Sequence, residues 1–448
     1  MTQKSQTTIY KLSNRWADQM AYYRFFNNSK VTTSSIISTI TQDTAQRIEA
    51  EHYLIFQDTT QVNLEKNRAQ IEANSGLGLI GDNRSLGFYL HPSLVVKACD
   101  ESCVGFSFIK PYIHSEHRAD RHERKYKTLP IEEKESYRWI ESVENTAKVL
   151  SKASLRTSVQ DREGDIFELL ATATGQDHLI VRSRDNRKIL YEDKVCDLYQ
   201  TLEESDLKGS YLLDIRGDIR HSSKNKIKRQ ALMELRFVAV DIIAPARKGK
   251  GVLPIKVWAI ESKESSSTVP EGEQPVHWRI LTTHLVDNFS DACQIVRWYS
   301  LRWHIETLFR LLKTQGFAIE SIELENGESI IKMTLFALQA ALRVMALLLA
   351  SKANEPNENQ QAKELFCENE IKCLQVLETQ LSGNTIKQQN PYPKYSLRWA
   401  FWIVARLGGW KGYASQRPPG IITLNDGIKQ FNNIYLGFKI AQRDMYKP

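Results

Sequence analysis

The stretch Trp298–Gln315, WYSLRWHIETLFRLLKTQ, combines residue types that could do chemistry on a phosphate ester. On a helix of 3.6 residues per turn, Tyr299, Arg302, Glu306 and Lys313 follow at steps of three, four and seven, and project from one narrow stripe. Ile305, Leu308, Phe309 and Leu312 form the adjoining apolar stripe that can bury the helix. Two cations, a carboxylate and a phenol beside an apolar seam suit a phosphate diester and a divalent metal. A solvated helix face with i,i+4 ion pairs satisfies the same pattern, so spacing alone leaves both readings open.

Two further carboxylates stand at the ends of predicted strands. His52–Phe56 is a compact apolar run that reads as a buried strand, and Asp58-Thr59-Thr60 follows at its C-terminal edge. By itself Asp58 also reads as a turn-capping aspartate. Ser158-Val159-Gln160 leads into Asp161-Arg162-Glu163-Gly164-Asp165, then a helical IFELLATAT and a strand, His178–Val181. Strand, Asp, helix, strand predicts a βαβ unit with parallel pairing. Arg162, Glu163 and Asp165 read as caps of the following helix or as backbone contacts to DNA rather than as metal ligands. A mixed sheet can bring Asp58 and Asp161 together, and a helix laid on it can add Glu306. Such a cluster suits two Mg²⁺ or Mn²⁺ ions, hard cations that prefer oxygen ligands. Two ions about 4 Å apart activate a water or 3′-hydroxyl and stabilise the leaving oxygen of a phosphodiester. Without metal the carboxylates repel one another.

The elements that must position these groups come from the rest of the chain. Its 448 residues allow two to four structural units, and 42% apolar with 25% charged residues is an ordinary globular balance. A net charge of +7 permits a nucleic-acid partner without demanding one. Six dispersed cysteines do not form a disulfide framework, which suggests a reducing cytosol. Cys99, Cys103, His114 and His117 have a zinc-like order, but the cysteines flank a predicted hairpin turn and the histidine spacing is short. The N-terminal residues lack the apolar core of a signal peptide. Thr334–Ala350 is the most apolar run; Gln339 and Arg343 interrupt it, and it reads as a buried helix rather than a membrane span. Ser93–Ala98 and Cys103–Ile109 predict a hairpin within a β-meander, and residues from about 190 to 285 alternate as an inserted antiparallel unit. Basic runs lie at 221–230 and 246–251, helices at 328–352 and 362–381, and Trp298 and Trp303 read as core.

Taken together these residues resemble the DDE transposases of the insertion-sequence-four family, from about residue 20 to the C-terminus. Tyr299-x2-Arg302-x3-Glu306-x6-Lys313 matches the family signature in full. QDTT at 57–60 and DREGDI at 161–166 match its two aspartate motifs, and KESYRW at 134–139 and LGGWKGY…RPPG at 407–420 look like family blocks. The resemblance implies an α/β fold: an RNase H-like mixed sheet with an inserted antiparallel β unit and a helical C-terminal region. The expected divisions are a short DNA-binding remnant (1–30), the first part of the catalytic core (31–188), the β insertion (189–285), the glutamate helix of the core (286–331) and a helical dimerisation region (332–448).

By the same resemblance, Asp58, Asp161 and Glu306 hold two Mg²⁺ or Mn²⁺ ions, and Tyr299, Arg302 and Lys313 grip phosphates at the element end. Arg182 and Arg184 contact the backbone, and Trp278 stacks a flipped base while the end closes into a hairpin. The implied partners are double-stranded DNA, at element ends and target, and a second copy of the chain in a synaptic dimer. No membrane is involved, and the place is the bacterial cytoplasm at the nucleoid. Only about twenty residues precede the AYYRFF block, where the family carries a basic helical domain that reads the element end. Two functions of different class follow: a cut-and-paste transposase, or a truncated form, deficient in end recognition, that inhibits transposition by mixed dimerisation. A general nuclease of the same fold is a third reading.

Overall fold

The computed structural model describes residues 7–72, 74–113, 129–215, 229–245, 248, 251–352, 361–413, 416 and 418–445. Among the described residues three helices come first: α1 (Ile9–Leu12), α2 (Trp16–Phe26) and α3 (Thr33–Gln46). Thr32 caps the start of α3, its hydroxyl accepting from the Ser35 amide at 3.1 Å. The strands β1 (His52–Gln57), β2 (Thr60–Asn63), β3 (Gly78–Leu79), β4 (Leu86–Lys97) and β5 (Cys103–Tyr112) follow, then α4 (Tyr137–Val149). Next come β6 (Leu155–Gln160), α5 (Phe167–Leu170) and β7 (Asp177–Arg182).

The thirteen strands among the described residues join one mixed, mostly antiparallel sheet. β4 is long enough to be shared: Val95 faces Ile55 of β1 and Gly105 of β5, while Tyr89 faces Gln61 of β2 and Tyr112 of β5. β6 pairs with β7 in parallel, as the strand–Asp–helix–strand pattern predicts, and β1 also pairs with β6 in parallel. β1 is buried on both faces. Leu54 and Phe56 enter the main core, and Tyr53 and Ile55 a smaller one with Val95 and Leu150. That explains a continuous apolar run where a one-sided strand would alternate.

The chain then forms β8 (Lys188–Tyr191), β9 (Lys194–Asp197), α6 (Leu198–Glu204), β10 (Gly209–Ile215), β11 (Arg229–Ile242), β12 (Ile255–Glu264) and β13 (His277–Thr282). β10, β11, β12 and β13 pair antiparallel in sequence order, and β13 returns to pair antiparallel with β7. The antiparallel segments read at 190–285 therefore extend the same sheet through the β7–β13 seam.

Helices α7 (Phe289–Ser300) and α8 (Trp303–Lys313) follow, then α9 (Gly327–Lys352), α10 (Glu368–Leu381), α11 (Leu397–Leu407) and α12 (Ile421–Met445). α9 is the only helix among the described residues long and apolar enough to cross a membrane, and 83% of its apolar window is buried inside the protein. Of the polar groups that interrupt it, Arg343 meets Glu370 at 3.0 Å and lies over the Phe366 ring. Lys332, 2% exposed, donates to the carbonyls of Phe26 and Asn28 at 3.2 Å each, so α9 holds the C-terminal end of α2. α11 and α12 cross closely enough that a Cβ on Gly427 would strike the Val404 carbonyl.

At the N-terminal ends of β1, β6 and β7 lies a cluster that the sequence did not announce. The Thr157 hydroxyl is 2.8 Å from Nε2 of both His52 and His284. His178 stacks on His284 at 4.1 Å, and Trp298 packs edge-on to His52 at 4.9 Å. A hydroxyl can donate to one imidazole and accept from the other, so the arrangement suits neutral rings. Burial and the neighbouring His178 lower His52 to about 4 and His284 to about 3.

Candidate active site

Asp58 leaves the C-terminal end of β1, and Asp161 the C-terminal end of the adjacent parallel strand β6. The strands pair His52 with Leu155 through Phe56 with Val159. Two residues past the last pair of that ladder, Asp58 and Asp161 stand at equivalent positions of the two strand ends, and the Asp161 charge acts on Asp58. Asp58 Oδ1 accepts from the Thr59 amide at 2.7 Å, and Asp161 Oδ1 from the Glu163 amide at 2.8 Å, capping a short 3₁₀ turn. Both carboxylates are thus aimed by their own following backbone.

The third carboxylate is brought in from α8. Arg302 donates through Nη1 to Asp58 Oδ2 at 3.0 Å and through Nη2 to Glu306 Oε1 at 2.6 Å. One planar fork therefore joins Asp58 and Glu306, and it is only 13% exposed. Burial and the Asp161 carboxylate push Asp58 up to about 6, against the pull of Arg302. Like charges this close cost energy until a cation is shared.

The helix carrying these residues is not the single one predicted. α7 ends at Ser300 and α8 starts at Trp303, with Arg302 N bonded to Tyr299 O at 3.1 Å and Ile305 N to Arg302 O at 3.1 Å. These i,i+3 bonds tighten the backbone into a 3₁₀ joint at Leu301 and Arg302. The joint separates Tyr299 from the α8 face: Tyr299 is 5% exposed and lies edge-on to Trp278, ring centroids 6.1 Å apart. It also resets the helical phase, so Trp303 is 59% exposed and not the core residue expected from sequence.

The remaining predicted residues fall around this centre. Arg182 donates to the His277 carbonyl at 3.1 Å, next to Trp278 on β13. Arg184 is exposed and paired with Asp185 at 2.9 Å. Lys313 lies at the far end of α8, 3.4 Å from Glu320, which also accepts from the Asn63 amide. Asp165, read as a helix cap or a DNA contact, turns inward instead. It accepts from the Arg184 amide at 2.7 Å and from the Arg187 guanidinium, and so fixes the loop that follows β7. Cys99 and Cys103 are free thiols, and His114 and His117 lie outside the described residues. So do 221–228 and most of the second basic run.

Residues 135–342 match the transposase DDE domain family. The match supports a DDE transposase. It spans Asp161, Glu306, Arg302 and Trp278, whereas Asp58 precedes it. Such a domain implies DNA as substrate, and DDE transposases typically use a divalent metal. Among the described residues no three His, Cys, Asp or Glu side chains converge tightly enough to grip an ion as they stand. The donor set nonetheless fits one: oxygen ligands only, two of them mutually repelling, with a guanidinium bridging Asp58 to Glu306.

Sequence reading missed Arg138, although it falls inside the KESYRW block. It also missed Thr59 as more than a neighbour of Asp58. Arg138 Nε donates to Thr59 Oγ1 at 3.0 Å, and the same hydroxyl lies 2.8 Å from Nδ1 of the fully buried His91. No sequence signal links positions 59, 91 and 138; only the fold does.

Proposed function

We propose that the chain is a cut-and-paste DNA transposase of the insertion-sequence-four type. Asp58, Asp161 and Glu306 serve as its catalytic carboxylates, and its core is RNase H-like. The observation that carries this reading is the β1–β6 register, which sets two strand-end aspartates side by side while Arg302 ties the first to Glu306. The strand order β5-β4-β1-β6-β7, antiparallel on one side of β1 and parallel on the other, supports the core assignment. The core comprises 31–188 and 286–331, the β insertion 189–285, and the helical region 332–448, through which two copies pair on DNA.

Asp58, Asp161 and Glu306 would hold two Mg²⁺ or Mn²⁺ ions, which supply Lewis acidity to the attacking and leaving oxygens of a phosphodiester. Arg302 and Lys313 bind phosphate oxygens, the first as a planar fork and the second as a point charge. Arg182 and Arg184 contact the backbone beyond them. Tyr299 supports Trp278 from beneath, and Trp278 stacks a base turned out of the duplex. Hydrolysis of one strand frees a 3′-hydroxyl, whose attack on the opposite strand closes a hairpin. A second hydrolysis opens it, and the 3′-hydroxyl then attacks target DNA.

The test is Mg²⁺-dependent cleavage of a duplex carrying the element's terminal repeat, by the full chain and by Glu306→Ala. Cleavage by the first and none by the second, with DNA binding retained in both, is expected. Equal loss of binding and cleavage in Glu306→Ala would overturn the metal-ligand role. Cleavage of DNA without the terminal repeat at the same rate would replace transposition by general nuclease activity.

A further inference from the structure

The backbone ladder between β1 and β6 ends at Phe56 and Val159, two residues short of the aspartates. Side chains must hold the last positions together. On the sheet side of the carboxylates, Gln160 Nε2 donates to Gln57 Oε1 at 3.1 Å, and both residues are fully buried. On the far side stands Arg138 of α4. It donates through Nε to Thr59 Oγ1 at 3.0 Å, through Nη2 to Glu163 Oε2, and through Nη1 to the Glu135 carbonyl at 2.8 Å. Thr59 is one residue past Asp58 and Glu163 two residues past Asp161, and the amides of both aim those carboxylates. One guanidinium thus joins the two loops on which the aspartates sit.

The bridge has a firm mount. The Arg138 side chain is 11% exposed, and its guanidinium lies 5.4 Å from the Trp139 ring and 5.9 Å from that of Tyr112. α4 is fastened to the sheet by Ser142 on Ser93 at 2.5 Å and by Thr146 on Ser107 at 2.8 Å. Trp139 beside it is 1% exposed. A fork fixed in this way holds two loops at one separation, which a lysine point charge cannot do.

We propose that Arg138 is a positioning residue: by bridging Thr59 to Glu163 it sets the separation of Asp58 and Asp161, and with it the affinity for a divalent cation. This rests on the reading of the carboxylates given above. Side chains that orient metal ligands typically change metal affinity about 10–100-fold when removed.

The experiment measures Mn²⁺ binding to the DNA-free full chain by electron paramagnetic resonance, with near-ultraviolet circular dichroism to check folding. Asp58→Asn should lose most binding. Arg138→Gln and Arg138→Lys should both weaken it about 10–100-fold. Thr59→Val and Glu163→Gln should each weaken it less, and neither should weaken it further when added to Arg138→Gln. Wild-type affinity in Arg138→Lys would overturn the bridge and leave only a role for the charge. Equal binding by wild type and Asp58→Asn would instead overturn the carboxylate site itself. If Arg138→Gln does not fold, the Thr59→Val, Glu163→Gln pair decides: undiminished Mn²⁺ binding there overturns the proposal.

Discussion

The two ends of the parallel strands β1 and β6 are built on opposite principles. At the C-terminal end, Asp58 and Asp161 are set side by side, and Asp58 is raised to about 6 by burial and its neighbour's charge. At the N-terminal end, His52 and His284 share one threonine hydroxyl and stay neutral, with His178 stacked against them. The first end gathers like charges, with the Arg302 guanidinium drawn against two of them. The second pairs donors with acceptors and needs nothing from outside. A polar cluster on its own therefore does not mark a site; the informative feature is like charge held together by the fold.

The comparison is broken most severely at the carboxylates. Asp58→Asn and Asp161→Asn should each lower cleavage of terminal-repeat DNA by at least about 10³-fold, as loss of a group that acts as part of a unit does. In the metal-free protein the same changes should leave the melting temperature unchanged or raise it, because each removes one of two repelling charges. Cleavage assays beside thermal melts in a chelator check both halves. A drop in melting temperature matching the lost activity would make these aspartates structural.

The histidine end should reveal itself through pH. His52 and His284 sit at about 4 and about 3 in the folded protein against 6.5 in a free chain. Below pH 6.5 the unfolded chain takes up protons that the folded one refuses. Stability is full above 6.5 and falls as pH drops toward 4, by up to about 1.4 kcal/mol per pH unit for each histidine. Asp58 runs the other way. Raised from 3.8 to about 6, it holds a proton in the folded state that the unfolded chain has released, so it offsets about one histidine between those values. Buried His91 and His304, lowered by their own burial, act in the same direction elsewhere in the fold. Denaturant melts across pH 4–7 without metal should therefore show a loss of stability toward low pH in wild type, a steeper one in Asp58→Asn, and a flatter one in His52→Gln with His284→Gln. An unchanged slope in the double variant would remove these imidazoles from the account.

Much of the carboxylate end was legible because its signals are local. An apolar run ending in Asp58, a strand leading into Asp161 and the alternation after 190 each fall within a few residues, and β1, β6, β7 and the antiparallel strands follow from them. What was illegible depends on the fold. The joint at Leu301 and Arg302 lies in a sequence without Gly or Pro, so no helix breaker warned that Trp303 would face outward and Tyr299 inward. Arg138 meets Thr59 across 79 positions, and His52 and His284 share Thr157 across 105 and 127. Asp165 read as a cap because Asp before a helix usually is one; its real partners, Arg184 and Arg187, come from the loop after the next strand.

The smallest expected effect sharpens the boundary of the active end. Trp278 is half-buried on β13, and its ring meets Tyr299 edge-on instead of entering the core face-first. Arg182 is anchored one residue away, on the His277 carbonyl. A ring held by a buried tyrosine with part of its surface open can receive a base, and stacking is worth about 1–3 kcal/mol per base. Trp278→Ala should therefore slow hairpin closure about 5–150-fold, the range those energies convert to, while first-strand nicking stays within about threefold. Trp278→Phe should restore most of the closure rate, since a smaller π-face still stacks. Gel-resolved single-turnover kinetics on terminal-repeat DNA separate the two steps. If nicking and closure fall together, and Phe fails to rescue either, the tryptophan serves the β7–β13 seam as packing, and the active end stops at Tyr299.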